Sequence, residues 1–392
     1  MRPLDGITVL TLEHAVAAPF ATRQLADLGA RVIKIERPGV GDFARAYDSR
    51  VDGMASYFVW INRSKESITL DLKHPEAAKI LKQLVGQADV LVQNLGPGAA
   101  ARLGLSVESL RPGHPGLIVC DISGYGKDGP YRDKKAYDIL IQAEAGLLSV
   151  TGSPEAPSRA GVSAADIAAG MYAYTNILAA LIQRGRTGCG SHIDISMLEA
   201  LGEWMSNPMY YAYKGAAPPP RAASSHPTIY PYGPFATGDG RTVLLGVQNE
   251  REWAAFCKEV LQRPEVAVDD RFDSNVKRNG HREALKAIIE DIFGGLSTEE
   301  VIRRLDHAGI GNAGMNDMHA FWNHPQLQAR DRWRSVESPV GELPVLLPPG
   351  VNDSYDYRID PIPALGQHTD AILQELGYAN NDIERLREAG AI

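Results

Sequence analysis

Short apolar runs alternate with amphipathic segments through the first third of the chain. Residues 7–12 form an apolar run, residues 19–28 show helical periodicity after a proline, and residues 31–36 form a second run, which predicts a βαβ unit. Strands that alternate with helices form a parallel sheet covered on both faces, so the pattern predicts a doubly wound α/β fold. Further strands are predicted at residues 66–72, 89–94 and 117–123, and helices at residues 74–85 and from residue 97.

Proline-rich stretches divide the second half of the chain. Residues 216–227, AAPPPRAASSHP, predict a stiff and extended connection, and residues 234–247 predict a hairpin with an Asp-Gly turn. Before them come helical patterns at residues 137–148, 163–184 and through Leu201, with a strand pattern at residues 191–196. We therefore predict a large Rossmann-like domain with Pro-rich connections, residues 1–215 and 335–392, and a small α+β domain, residues 225–330.

Composition narrows the function classes. The net charge of −8 argues against nucleic acid or an anionic membrane as the main partner, because both require a basic face. The N-terminus lacks the apolar run of a signal peptide, and no uninterrupted apolar stretch is long enough for a membrane span, so we expect a cytoplasmic protein. No HExxH or carboxylate-rich motif predicts a metal.

Two common enzyme classes lack their motifs. The segment EHAVAA after the first strand contains no G-x-G-x-x-G, which argues against a nicotinamide cofactor although Glu36 ends the second strand. Serine hydrolase chemistry has no G-x-S-x-G turn to support it.

Cationic side chains lie where predicted strands end or helices begin, which is where open α/β sheets bind ligands. Arginine suits phosphate because its guanidinium binds two oxygens at once, although each cation can equally be a solvated surface charge. His14 follows the first strand and either orients a thioester or has a structural role. The cations are Arg37, Arg63, Lys65, Lys73, Arg102, Lys134 and Lys135.

Asp166 begins the long helical pattern and allows two interpretations. Ser163-x-x-Asp166 resembles a capping box, in which an acid simply stabilises the first helical turn. Alternatively, Asp166 shares a face of small residues with Gly170 and Ala173, where a ligand could fit beside a core stripe. That stripe is predicted to contain Ile167, Met171, Tyr174, Leu178 and Leu181.

Seven motifs in order resemble the class III CoA-transferase family, whose members include formyl-CoA transferase, carnitine CoA-transferase and α-methylacyl-CoA racemase. The similarity runs from about residue 4 to about residue 378. The motifs are PLDGITVL, AAPFATRQLADLGARVIKIERPGVGD, NRSKESITLDLKHPE, NLGPG, GYGKDGP, the Asp166 helix ending in RGRTGCG, and LGQHTDAILQELGY.

The resemblance implies an interlocked-ring homodimer with coenzyme A as a substrate and Asp166 as the nucleophile. It also implies acyl-aspartyl and aspartyl-CoA intermediates on that residue. Contacts to CoA are implied for Val16, Ala17, Arg37, Leu70, Asp71, Leu72, Lys73, Asn94, Leu95, Gly96, Arg102, Lys134, Lys135, Ala136 and Tyr137.

Departures from the family pattern refine this expectation. Val16 stands where formyl-CoA transferase has Gln, and residues 224–233 replace its glycine-rich loop, which argues against oxalate and formate. The segment Ala136-Tyr137-Asp138 lacks the histidine that the racemase pattern has before its Asp, so proton abstraction lacks its second group.

The remaining prediction is CoA transfer from an acyl-CoA, favouring succinyl-CoA, to a small dicarboxylic acid of the glutarate, malate, citramalate or itaconate type. Arg45, Arg221 and His226 are candidate partners for the distal carboxylate. An acyl-CoA racemase or lyase, and a CoA-binding protein without catalysis, remain as alternatives.

The linked-ring expectation predicts a dimer that does not dissociate on dilution, because linked rings separate only by unfolding. Ordinary dimers obey mass action and dissociate below their dissociation constant. Sedimentation at very low concentration measures this, and a folded monomer would contradict the linked arrangement.

Overall fold

The computed structural model describes all 392 residues of the chain. Three short 3-10 helices, Phe43–Ala46, Tyr213–Gly215 and Pro264–Val268, and one π-helical turn, Phe256–Val260, accompany the longer elements. The strands are β1 Thr8–Leu12, β2 Arg31–Glu36, β3 Lys65–Thr69, β4 Val90–Gln93, β5 Ile118–Ser123, β6 His192–Ser196, β7 Tyr232–Ala236, β8 Thr242–Gly246, β9 Gly311–Gly314, β10 Trp333–Val336 and β11 Leu343–Leu346. The helices are α1 Ala17–Asp27, α2 Ser56–Ile61, α3 Pro75–Gln87, α4 Ala99–Arg102, α5 Val107–Leu110, α6 Asp138–Glu144, α7 Leu147–Val150, α8 Ala164–Thr187, α9 Met197–Trp204, α10 Ser206–Tyr211, α11 Glu250–Ala255, α12 Asn275–Gly280, α13 Arg282–Phe293, α14 Thr298–His307, α15 Met318–Trp322, α16 Pro325–Ala329, α17 Thr369–Glu375 and α18 Asn380–Glu388.

A six-stranded sheet has the order β3-β2-β1-β4-β5-β6, and every pairing in it is parallel. Alternate residues of each strand face opposite sides: Val9 packs into a core with α1, α8 and α9, whereas Leu10 packs into another with α3, α17 and α18. Both faces of the sheet are therefore covered, and the predicted α/β fold with a parallel sheet is confirmed.

The chain divides into two compact units. The first contains Met1–Leu147, Ala160–Asn207 and Ala329–Ile392, and the second contains Leu148–Arg159 and Pro208–Gln328. The sequence places residues 148–159 in the large domain, whereas in the structure they pack with the second unit.

The second unit contains the antiparallel sheet β7-β8-β9 and a core that includes Trp253, Phe256, Phe272 and Phe293. Its first two strands form the hairpin predicted from the Asp-Gly turn, with Ala236 opposite Thr242.

Helix α8 buries a different face from the one the sequence predicts. Ile167, Met171, Tyr174, Leu178 and Leu181 are only partly buried, whereas the fully covered positions are mostly small residues, among them Gly170 and Ala173. A Cβ atom on Gly170 would lie 2.7 Å from the Ala17 carbonyl oxygen and 2.9 Å from the Phe20 ring. The small-residue face is thus where α8 approaches α1, and Gly170 and Ala173 leave no space for a ligand.

By length and composition α8 also meets the criteria for a membrane span, with a mean hydropathy of 1.3, which differs from the sequence expectation. Its small residues belong to the core beneath the sheet, and a core helix passes the same test.

We predict that Gly170→Ala lowers the unfolding free energy by about 1–3 kcal/mol, because the added methyl group overpacks the contact with α1. Gly185→Ala is the matched control in the same helix, since nothing lies within 4 Å of a Cβ at that position. The control should gain up to about 1 kcal/mol from helix propensity. Thermal unfolding of both variants measures the difference, and equal melting temperatures would contradict the close contact.

Candidate active site

The carboxyl ends of the parallel strands bring the implied CoA contacts to one edge of the sheet. His14, Val16 and Ala17 follow β1, and Arg37 follows β2. Leu70 to Lys73 follow β3, Asn94 to Gly96 follow β4 with Arg102 on the next helix, and Lys134 to Tyr137 lie between β5 and α6. The side chains of this set are not equally accessible, because Leu70, Val16 and Ala17 are buried.

A turn between β1 and α1 is held by side chains from two other loops. The Asn94 side chain accepts a hydrogen bond from the His14 N–H and donates one to the His14 carbonyl oxygen, both at 2.9 Å. Ala15 has a left-handed φ of 59° and donates its N–H to Asp42 at 3.1 Å. The start of α1 is therefore fixed before any ligand binds. Burial lowers the pKa of the His14 ring, which stacks on Phe43 at 5.2 Å.

Below this turn lies a cluster of buried charges. Lys34 contacts the carboxylates of Glu13 at 3.2 Å and Asp42 at 2.8 Å, and Lys65 contacts Glu13 at 2.6 Å. Burial alone would raise the pKa of Glu13, but the charges of Lys34 and Lys65 and the hydrogen bonds from Lys65 and Thr22 lower it to about 2. Glu13 is therefore an anion at neutral pH, and the cluster holds β1, β2, β3 and the Asp42 turn together.

Two of the predicted phosphate-binding cations are not available to a ligand. Lys65 is buried in this cluster, and Arg63 is buried in a bidentate pair with Asp27, at 2.9 and 3.0 Å. Lys65 begins β3 and Arg63 precedes it, so both lie at the amino end of this strand, and their side chains point into the protein interior. The prediction that they bind phosphate is wrong.

The remaining predicted cations are exposed. Arg37, Lys73 and Lys135 make no ion pair within the chain, and Arg102 lies over Gly98. Lys134 is paired with Glu144 and lies 4.3 Å from the centre of the Tyr131 ring. Four exposed cations without an acidic partner thus surround this edge of the sheet.

Asp166 occupies the first turn of α8, but the capping box does not form. The Ser163 side chain makes no cap hydrogen bond, and the carboxylate of Asp138 accepts the N–H groups of Ala165 at 2.8 Å and Asp166 at 3.4 Å instead. The Asp166 carboxylate itself makes no hydrogen bond or ion pair with the protein. Its carboxylate is therefore left free for chemistry.

Burial raises the pKa of Asp166 to about 7, and the nearby charge of Asp138 contributes to the rise. The N–H groups at the start of α8 do not stabilise the ionised form of Asp166, because Asp138 accepts them. A carboxylate whose pKa is raised in this way is a stronger nucleophile, once ionised, than an ordinary one.

A row of aromatic side chains in residues 43–60 includes Tyr47, which lies close enough to Asp166 to respond to its charge, and the sequence reasoning missed this row. Phe43 and Tyr47 lie 5.7 Å apart between ring centres, Tyr47 and Tyr57 5.4 Å, and Tyr57 and Trp60 6.5 Å. Burial, together with the charges of Asp42 and Asp166, raises the pKa of Tyr47 to about 12. The signal in the sequence was the density of aromatics in residues 43–60, a segment that follows β2 and so returns to the ligand edge.

The three candidate cations for a distal carboxylate are all engaged elsewhere. Arg45 pairs with Glu36 at 2.7 Å and covers the Phe58 ring, while Arg221 donates to the backbone carbonyls of residues 153 and 154. His226 accepts two backbone N–H groups through Nδ1 and stacks on Tyr232. These contacts hold all three side chains in place, although Nη1 of Arg221 and Nε2 of His226 have no partner within the chain.

A recess of about 260 Å³ between α8, β6 and α9 is a poor alternative site. Its lining includes Asp194, Glu199 and Glu203, together with Tyr172 and Asn176, and contains no cation. A carboxylic acid or a phosphate would be repelled there.

Comparison with known proteins finds relatives that match nearly the whole chain. The family model described as CoA-transferase family III matches residues 4–369. The human succinyl-CoA:glutarate CoA-transferase is 35% identical over 400 residues, which covers 100% of this chain and 90% of the relative. The acetyl-CoA:oxalate CoA-transferase of Acetobacter aceti is 36% identical and covers 84% of this chain and 85% of the relative.

A solved structure matches the fold of the chain. The crystal structure of a CAIB/BAIF family protein from Brucella suis has a TM-score of 0.85 and 34% sequence identity, and the match covers 96% of this chain and 99% of that chain.

Proposed function

The chain belongs to CoA-transferase family III and is an enzyme that transfers CoA, and we propose that it moves CoA from succinyl-CoA to a small dicarboxylic acid through covalent intermediates on Asp166. The observation that supports this proposal best is the free carboxylate of Asp166, raised in pKa, one helical turn from the contact between Gly170 and the start of α1.

The substrate proposal draws on the relatives. The human relative is named for succinyl-CoA and glutarate, and the Acetobacter aceti relative for acetyl-CoA and oxalate. Both acceptors are dicarboxylic acids, which favours that class of acceptor for this chain. Itaconate, malate and citramalate belong to the same class. Because the Acetobacter aceti relative is named for oxalate, oxalate is also tested as an acceptor.

The reaction proceeds by exchange of carboxylate and thiolate. The Asp166 carboxylate attacks the thioester carbonyl, forms a mixed anhydride and releases the CoA thiolate. The thiolate attacks the aspartyl carbonyl, which releases the donor carboxylate and leaves an aspartyl-CoA thioester. The acceptor carboxylate attacks that thioester, and the thiolate then takes the acceptor acyl group from the second anhydride. Asp166 leaves as a carboxylate, so every bond formed is matched by one broken and no electron acceptor is required.

Exposed cations at the sheet edge support the proposed CoA site. Arg37, Lys73, Arg102 and Lys135 are free to contact phosphates, and the fixed turn from His14 to Ala17 offers backbone groups to the thioester end. A racemase is less well supported, because Asp138 is engaged in capping α8 and Tyr137 stands where that chemistry has its histidine.

We also propose that the enzyme works as a homodimer in the cytoplasm. Trp204, Met209, Tyr210 and Tyr211 are large side chains exposed on α9 and α10, where a second copy would cover them.

We predict that succinyl-CoA with a five-carbon dicarboxylate gives a kcat/KM at least about tenfold above that of acetyl-CoA with oxalate or formate. Glutarate, citramalate, itaconate, malate, oxalate and formate are tested with each donor, and the new thioester is measured by chromatography. A maximum with acetyl-CoA and oxalate would overturn the substrate proposal. Deuterium uptake at the α-carbon without CoA exchange would indicate a racemase.

We predict that Asp166→Ala lowers kcat by more than about 1,000-fold, because a methyl group cannot form the anhydride. CoA affinity should stay near that of the wild type, since the aspartate meets the acyl group, and stability should not fall, because burial and Asp138 disfavour the ionised carboxylate in the folded protein. Turnover and calorimetric CoA binding check the two effects separately.

Hydroxylamine supplies the complementary measurement on the wild type. It should convert the activated carboxyl group to a hydroxamate at Asp166 during turnover with succinyl-CoA. A peptide map in which Glu13 or Asp138 carries the label and Asp166 does not would move the nucleophile elsewhere.

A further inference from the structure

Gln142 has a buried side chain whose amide contacts fix its orientation. Its side chain is fully buried on α6, its Oε1 accepts the Ala160 N–H at 2.9 Å, and its Nε2 donates to Asp138 at 2.6 Å. Because the Ala160 N–H can only donate, the oxygen of the amide must face it, and the nitrogen must face Asp138. A longer contact of 3.4 Å joins the same nitrogen to the Val162 carbonyl oxygen.

The two carboxylate oxygens of Asp138 accept hydrogen bonds from different parts of the chain. Oδ2 accepts the hydrogen bond from Gln142, whereas Oδ1 accepts the N–H groups of Ala165 and Asp166 at the start of α8. The bond from Gln142 therefore selects the rotation of the Asp138 carboxyl group that presents Oδ1 to the helix.

An uncapped helix start would change the environment of the nucleophile. Free N–H groups in the first turn attract the nearest acceptor, and acidic side chains in that turn commonly bond to them. Here the nearest acid on the helix itself is Asp166. Once its carboxylate capped its own helix, it would point back to the backbone and lose basicity through those bonds.

We propose that Gln142 is a positioning residue, which orients Asp138 so that Asp138 caps α8 and the Asp166 carboxylate stays free to attack. This inference rests on the proposed role of Asp166 and adds a residue that does not touch substrate. The ionisable groups that act on Asp166 or respond to its charge are Asp138 from α6 and the Tyr47 phenol.

The donor and acceptor pattern of the pair can be inverted in a variant. Gln142→Glu places two buried carboxylates against each other, and Asp138→Asn places two amide donors against each other. In the double variant D138N/Q142E, the new amide nitrogen at position 138 donates to the new carboxylate at position 142, which still accepts the Ala160 N–H. The amide oxygen at position 138 still caps α8, and only the long contact to the Val162 carbonyl is not restored.

The single variants should each lower kcat by about 10- to 100-fold with little change in KM for the acyl-CoA, because a misplaced nucleophile affects the chemical step. The double variant should recover at least about tenfold of the lost kcat. In the pH profile of kcat/KM, the acid limb should move to lower pH in Asp138→Asn, because the charge beside Asp166 is removed and the Asp166 carboxylate can bond to the freed N–H groups of α8.

Gln93→Glu is the matched comparison, because Gln93 makes the same pair of contacts elsewhere. Its Nε2 donates to Asp121 at 2.8 Å and its Oε1 accepts the Leu95 N–H at 2.7 Å. Since Leu95 is among the implied CoA contacts, this variant should raise KM and leave the acid limb in place. If Gln142→Glu does not fold, Gln142→Met takes its place in the comparison. This variant removes the amide without adding a charge, and it should also lower kcat.

Wild-type kcat in the folded Gln142 and Asp138 variants, with an unshifted acid limb in Asp138→Asn, would overturn the proposal. So would a double variant that folds and binds CoA yet is no faster than the slower single variant. Failure of the underlying function looks different, because the hydroxamate would then be absent from Asp166 in the wild type and Asp166→Ala would remain active.

Discussion

Charges buried beneath the carboxyl edge of the sheet are the interaction on which the rest of the site depends. Glu13 is an anion without access to water, Lys34 contacts both its carboxylate and the buried carboxylate of Asp42, and Lys65 also contacts Glu13. Burying such groups is costly, and removing one partner would leave an unpaired charge in the interior. The cluster therefore joins β1, β2 and β3 in one arrangement, and the turn that precedes α1 is built on it.

A second constraint is the close approach of α1 and α8. The Gly170 backbone lies against the Ala17 carbonyl oxygen and the Phe20 ring, with no room for a Cβ atom. This contact is one turn from Asp166 in α8 and lies at the first turn of α1. It sets the distance between Asp166 and the turn held by Asn94 and Asp42. Because Asp138 accepts the N–H groups at the start of α8, the Asp166 carboxylate does not bond to them and remains free.

Reasoning from strand ends placed several exposed cations correctly at the carboxyl edge of the sheet and failed at other residues. It placed Arg37, Lys73, Arg102 and Lys135 at the ligand edge, where the structure shows them exposed. It failed for Arg63, because a cation near a strand can face the interior when an acid such as Asp27 meets it there, and that acid lies 36 residues away in sequence. The aromatic row around Tyr47 was missed because its rings meet only after the chain has folded.

The sequence by itself determined the local elements, the parallel sheet and the family, because periodicity and motif order are properties of neighbouring residues. The motifs also pointed to Asp166 as the candidate nucleophile. Only the tertiary structure shows that Asp166 does not cap α8. Ser163 and Asp166 have the spacing of a capping box, yet the cap comes from Asp138, which is 28 residues away and is oriented by Gln142. The competition between acceptors for the same N–H groups depends on distances in space, and burial determines the pKa that results, so neither follows from spacing along the chain.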